Sequence, residues 1–236
     1  MFSIHPIAWR RRAAAGAGAL LVAALVATAA AQPSRHPVSG RVIAQVMGYE
    51  GAAWLERPER EDEEQPSRAI AALDIMPGQV VADVGAGSGY YTVRLAERVG
   101  PTGRVFAADI QPEMLDLLRS RVKRARLDQV ELVRSTETDP GLPEGLFDLV
   151  LMVDVYHELA RPQEVLRKLR ASLKPDGRLV LIEFRKESPW VPIREEHKMS
   201  VKEARMELEA EGYRFDRVID VLPWQHILVF RLSPAR

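Results

Sequence analysis

A doubly wound α/β domain, with a mostly parallel seven-stranded sheet ending in an antiparallel hairpin, is the fold this sequence predicts. Three observations carry it. Val80-Val81-Ala82-Asp83-Val84 is a short apolar run that breaks into Gly85-Ala86-Gly87-Ser88-Gly89 and then into a helical stretch, Tyr91 to Val99. An apolar run bounded by glycine reads as a buried parallel strand. Strand-like and helix-like segments then alternate along the chain, the pattern of a parallel sheet covered on both faces. The last two strand-like runs, 215–222 and 225–232, are separated only by Pro223-Trp224. That is too short for the crossover that parallel neighbours need, so these two pair antiparallel.

The second strand, 103–109, is apolar and ends in Asp109. Pro112 suits a first helical turn, and Met114, Leu115, Leu118 and Val122 then share a helical face. Residues 130–133 form a third short strand, and 147–153 are apolar enough to be central in the sheet. Pro162 opens a helix whose stripe is Val165, Leu166, Leu169 and Leu173. Lys174-Pro175-Asp176-Gly177 reads as a turn before a fifth strand over 178–184. Ser200-Val201-Lys202-Glu203 is a capping box, and Gly212 closes a helix over 201–211.

The chain has 236 residues with 33 basic and 33 acidic side chains. This balance gives no electrostatic reason to expect a nucleic-acid partner. Arg119-Ser120-Arg121-Val122-Lys123-Arg124-Ala125-Arg126 is locally basic but has no interleaved aromatics, so it reads as a solvated helix face. There is no cysteine, which excludes disulfides and leaves the redox compartment unread. Arg10-Arg11-Arg12 precedes an uncharged run from Ala13 to Ala31 that ends in alanines before Gln32-Pro33. This is the pattern of a signal peptide, with an N-terminal membrane anchor through residues 13–31 as the alternative. The expectation is export or membrane anchoring, or a cytoplasmic address if the segment is not a true signal. Three segments follow: 1–31 for targeting, 32–68 as an arm or lid, and 69–236 as the α/β domain. In the arm, Tyr49 and Trp54 read either as lid aromatics or as staples onto the core. The charge-dense run 56–64 reads as a solvated helix face.

The glycine loop opens onto a helix N-terminus, where free backbone N–H groups can meet a ligand. A dinucleotide fingerprint, G-x-G-x-x-G, would need glycine at position 90, which is Tyr90, and the chain has no G-x-x-x-x-G-K-[ST] phosphate loop. Asp109 lies 20 residues after Gly89, where a carboxylate can accept both ribose hydroxyls of an adenosine. Its alternative is a cap on the next helix. The D-x-G-x-G-x-G pattern resembles motif I of the class I S-adenosylmethionine (SAM)-dependent methyltransferases. The resemblance runs from about Ala69 to the C-terminus and includes the terminal antiparallel hairpin. It implies a SAM-dependent methyltransferase acting on a small molecule, with Asp83, Gly85, Gly87, Gly89 and Asp109 on the cofactor and Thr136 and Glu137 beside its adenine. Two other readings stand beside it: an NAD(P)-dependent oxidoreductase, and a SAM-binding module without catalysis.

Methyl transfer from a sulfonium needs positioning and water exclusion, and a general base only when the acceptor must lose a proton. Substrate-side residues belong beyond the carboxyl ends of strands four and five. Asp154-Val155-Tyr156-His157-Glu158 follows strand four, and Trp190, Arg194, His197, Lys198 and Met199 follow strand five. The catalytic candidates are His157 as base or orienter, His197 as a substrate contact, and Asp154. His157 could instead simply open a helix. Asp154 with His157 has the look of a metal pair, but two ligands fall short of a site, so no metal is expected. An exported methyltransferase would also need a supply of SAM, which is made in the cytoplasm.

Overall fold

The computed structural model describes residues 34–234. The expected targeting segment, 1–31, lies outside these residues. Among the described residues, no helix is long and apolar enough to cross a membrane.

The strands are β1 (Val80–Val84), β2 (Arg104–Asp109), β3 (Val130–Arg134), β4 (Phe147–Val153), β5 (Leu173–Arg185), β6 (Lys198–Met199), β7 (Tyr213–Ile219) and β8 (Gln225–Leu232). The helices are α1 (Ala52–Leu55), α2 (Arg60–Glu63), α3 (Pro66–Ala72), α4 (Tyr90–Val99), α5 (Pro112–Ala125), α6 (Pro162–Ser172) and α7 (Val201–Ala210). The sheet order is β3-β2-β1-β4-β5-β8-β7, with β6 beside β5. β1 to β6 pair in parallel, and β8 lies antiparallel between β5 and β7.

Side chains alternate across the sheet, as strand geometry requires. Val81, Val105, Leu149, Leu151, Val180 and Ile182 pack under α3 and α4. Ala82, Phe106, Val150, Met152, Leu179 and Leu181 pack under α6 and α7. Leu151 is fully buried in a central strand. Cutting such a leucine back to alanine costs about 2–5 kcal/mol.

The expected elements recur with small shifts. The capping box on α7 forms, with Ser200 Oγ accepting from the Glu203 N–H and Glu203 accepting from the Ser200 N–H. Gly212 sits at φ +84, as a helix terminator does. Three expectations need correction. Lys174–Gly177 is a bulged excursion within β5, with Phe147 opposite Leu173 and Leu149 opposite Arg178. An eighth strand joins the expected seven, because Lys198 and Met199 pair with the end of β5 and are buried. The boundary drawn at 68/69 cuts α3, whose Ala69 and Ile70 belong to the same core as α4.

Candidate active site

The strand order reverses between β1 and β4, so their following loops diverge. Ligands of open α/β sheets bind at such a switch point, beyond the carboxyl ends of the strands. Here the crevice is a cavity of about 740 Å³. Gly85, Gly87, Asp109, Thr136 and Glu137 line one side, and Asp154, His157, Glu158, Arg194 and His197 the other.

Gly85, Gly87 and Gly89 all take positive φ, +73°, +54° and +86°. At Gly87 a Cβ would come within 3.1 Å of Leu55 Cδ1, where the arm crosses the loop. Asp109 ties the loop to the next helix: Oδ2 accepts from the Gly87 N–H at 2.8 Å and Oδ1 from the Gln111 N–H at 2.8 Å. Burial raises its pKa above the usual carboxylate value, and the backbone donors oppose that rise. The carboxylate is thus fixed in place while still facing the cavity.

Two members of the expected cofactor set lie elsewhere. Asp83 shares the strand face of Val81, pointing to α4, and accepts from Thr92 Oγ1 at 2.6 Å. Burial pushes it up to about 6. Gly89 begins α4, where any Cβ would overlap the Leu118 side chain of α5. It serves helix packing and does not line the cavity.

The arm contributes more than its composition suggested. Trp54 lines the cavity, with the Arg57 guanidinium 3.7 Å above its ring, whereas Tyr49 does not line it. The charge run 56–64 is not simply a solvated face. Arg60 and Glu64 are buried and paired at 2.7 Å, Arg57 reaches Glu64 at 2.8 Å, and Arg60 stacks on Tyr90 at 4.4 Å. Arg60 also lines the cavity, and Glu56 accepts from Ser88 in the glycine loop. The buried charges, Arg60 and Glu64, are paired, which is what makes their burial tolerable.

On the opposite side of the cavity, His157 sits on a 3-10 turn, Tyr156–Glu158, directly beyond β4. Glu183 of β5, fully buried, accepts hydrogen bonds from His157 Nδ1–H at 2.6 Å and from the Tyr156 N–H at 3.0 Å. This contact leaves the ring's lone pair on Nε2. His157 Nε2 faces His197 Nδ1 at 3.1 Å, the rings edge to face with centroids 5.1 Å apart. Burial raises Glu158 to about 7. Burial and the neighbouring His157 lower His197. The arm braces the turn: Arg41 donates to the His157 carbonyl at 3.0 Å while pairing with buried Glu207 at 2.8 Å.

Asp154 is strained at φ +52 and lines the cavity, with Oδ2 accepting from Gln225 at 2.6 Å. Among the described residues, Oδ1 has no hydrogen-bond partner. Burial, then Glu64 and Glu183, pushes its pKa well above the usual range. The three residues expected to be catalytic therefore do not form one group: His157 and His197 meet, and Asp154 turns towards Gln225. Of the other residues expected after strand five, Arg194 lines the cavity, Trp190 is 87% exposed, and Lys198 and Met199 are absorbed into β6. Sequence reasoning missed Arg60, Glu183 and Gln225. An acid inside the apolar run of β5 was the one available signal for Glu183.

Residues 82–179 match a family model described as a methyltransferase domain. The ubiquinone/menaquinone biosynthesis C-methyltransferase UbiE of Burkholderia multivorans (strain ATCC 17616 / 249) is 32% identical over 125 residues, 53% of this chain and 50% of that protein. The protein of the same name from Ectopseudomonas mendocina (strain ymp) is 34% identical over 118 residues, 50% of this chain and 46% of that protein. The chain spans about half the length of these curated relatives. The crystal structure of a SAM-dependent methyltransferase from Aquifex aeolicus superposes with a TM-score of 0.74 at 29% identity, covering 78% of this chain and 98% of that one. The sheet and its helices superpose on that structure as one fold. The family-model match, these relatives and the shared fold support a class I SAM-dependent methyltransferase.

Proposed function

We propose that the chain binds SAM in the 740 Å³ cavity and transfers its methyl group to a small, largely apolar acceptor held against His157 and His197. The observation that carries this reading is the continuity of that cavity from Asp109 and the glycine loop to the two imidazoles. Asp109 takes the ribose hydroxyls, Gly85 and Gly87 let the backbone approach the methionine tail, and Thr136 and Glu137 flank the adenine. Arg60 and the free oxygen of Asp154 face the carboxylate and ammonium of that tail.

The acceptor's nucleophilic atom attacks the methyl carbon as the carbon–sulfur bond breaks, and S-adenosylhomocysteine leaves. When the acceptor is a hydroxyl or an acidic carbon, its proton passes to His157 Nε2, and Glu183 stabilises the imidazolium from the other side. Met47, Trp54, Leu55, Met114 and Ile193 give the cavity an apolar wall. The relatives named for ubiquinone and menaquinone biosynthesis support an apolar ring compound as the acceptor class.

Calorimetric titration of the chain with SAM, S-adenosylhomocysteine and NAD tests the cofactor. Binding of the first two and not the third is expected; the reverse would overturn the reading. A metabolite screen with methyl-labelled SAM then identifies the acceptor. For residues 1–31 we propose export or membrane attachment. A product starting at Gln32, or full-length protein in the membrane fraction, is expected. Cytosolic protein retaining Met1 would contradict it.

A further inference from the structure

We propose that His157, Glu158 and His197 form a divalent-metal site of the zinc type at the acceptor end of the cavity. These three side chains bring one ligand atom each into a single cluster. His157 Nε2 and His197 Nδ1 are 3.1 Å apart, and Glu158 Oε1 lies 3.8 Å from the first and 3.7 Å from the second. A point equidistant from the three atoms lies about 2.1 Å from each, the length of a zinc–imidazole or zinc–carboxylate bond (~2.0–2.2 Å). Asp154 is not part of the cluster; the partners of His157 are the next residue in sequence and one 40 positions away.

The surroundings agree. Glu183 holds His157 by Nδ1 at 2.6 Å, which directs the Nε2 lone pair at the shared point. A carboxylate behind a ligating histidine is the usual outer partner of such a metal. Among the described residues, the groups within ion-pair reach of the Glu158 carboxylate are the two imidazoles alone. Two imidazoles and one carboxylate suit zinc, nickel, cobalt or iron better than magnesium or calcium, which prefer all-oxygen shells. His157 is buried, but His197 and Glu158 keep 28% and 14% side-chain exposure and line the cavity. Three protein ligands with an open side towards a cavity are the layout of a catalytic metal rather than a structural one. The catalytic consequence rests on the methyl-transfer reading, whereas the metal binding does not. A bound cation would acidify a coordinated acceptor hydroxyl, whose proton would pass to solvent through the open side of the cavity, and His157 Nε2 would then be a ligand instead of a base.

The test uses the full chain, stripped with a chelator and titrated with Zn²⁺ by calorimetry and with Co²⁺ by visible absorption. One Zn²⁺ per chain is expected, weakened at least tenfold in His197→Ala and in Glu158→Gln and about 10–100-fold in Glu183→Gln. Co²⁺ should give ligand-field bands that His197→Ala abolishes. Failure of the wild-type chain to bind stoichiometric Zn²⁺, or undiminished affinity in either His197→Ala or Glu158→Gln, overturns the site. SAM titrations on the same samples separate the two claims. SAM binding without zinc binding removes the metal and leaves the methyltransferase reading, and zinc binding without SAM binding does the opposite.

Discussion

The two halves of the cavity are built in different ways. The half proposed for the cofactor is local: a glycine loop and one carboxylate at the end of the neighbouring strand, which accepts the Gly87 and Gln111 backbone N–H groups, each at 2.8 Å. The acceptor half is assembled from far apart. His157 follows β4, Glu183 lies in β5, His197 comes from the loop before β6, and Arg41 of the arm braces the turn. A locally encoded half can keep its cofactor while the remote half changes its chemistry. Variants in one half should therefore leave the other half's readout unmoved.

The largest effect is expected at His157. His157→Ala should lower kcat by roughly 10²–10⁴-fold, measured as S-adenosylhomocysteine release with the acceptor found by the labelled-SAM screen. Full turnover in that variant would mean that positioning alone drives the reaction. Gly89→Ala should spare the chemistry and cost stability instead, about 2–4 kcal/mol by urea denaturation, because it combines positive-φ strain with overlap on Leu118. Unchanged stability would contradict the packing role given to that glycine.

Asp83 should show itself through pH. Its folded-state pKa of about 6 lies above the ordinary carboxylate value of 3.8, so between those values the folded chain holds a proton that the unfolded chain has released. Stability should fall as pH rises from 4 to 6 and then level off, by on the order of 2–3 kcal/mol. Asp83→Asn should flatten this dependence without weakening SAM, checked by thermal melts across that range. A smaller effect is expected at Glu183→Gln, which keeps an acceptor for His157 Nδ1 but removes the charge. A loss of about tenfold in kcat, with SAM affinity intact, corresponds to roughly 1.4 kcal/mol.

This division also decided what could be read in the sequence. β1, its glycine loop, β2 with Asp109, and the closing hairpin were legible because each is a short-range pattern of apolar runs and turn residues. Asp83 and Gly89 belong to the same motif, but strand alternation turns one towards α4 and helix packing claims the other. The run 56–64, six acids and two arginines in nine residues, looked solvated because of its charge density. Only the fold shows Arg60 buried with Glu64 and stacked on Tyr90 and Tyr91. Pairing of β6 with β5 brings His197 to His157, and a two-residue strand leaves no periodicity to detect.

The separation of the halves is tested most directly by measuring SAM affinity in Asp109→Ala and His157→Ala side by side. Each charge-assisted hydrogen bond lost at Asp109 is worth about 1.5–3 kcal/mol, so that variant should bind SAM at least tenfold more weakly, while His157→Ala should stay within about twofold of wild type. Unchanged affinity in Asp109→Ala, or an equal loss in His157→Ala, would contradict the account.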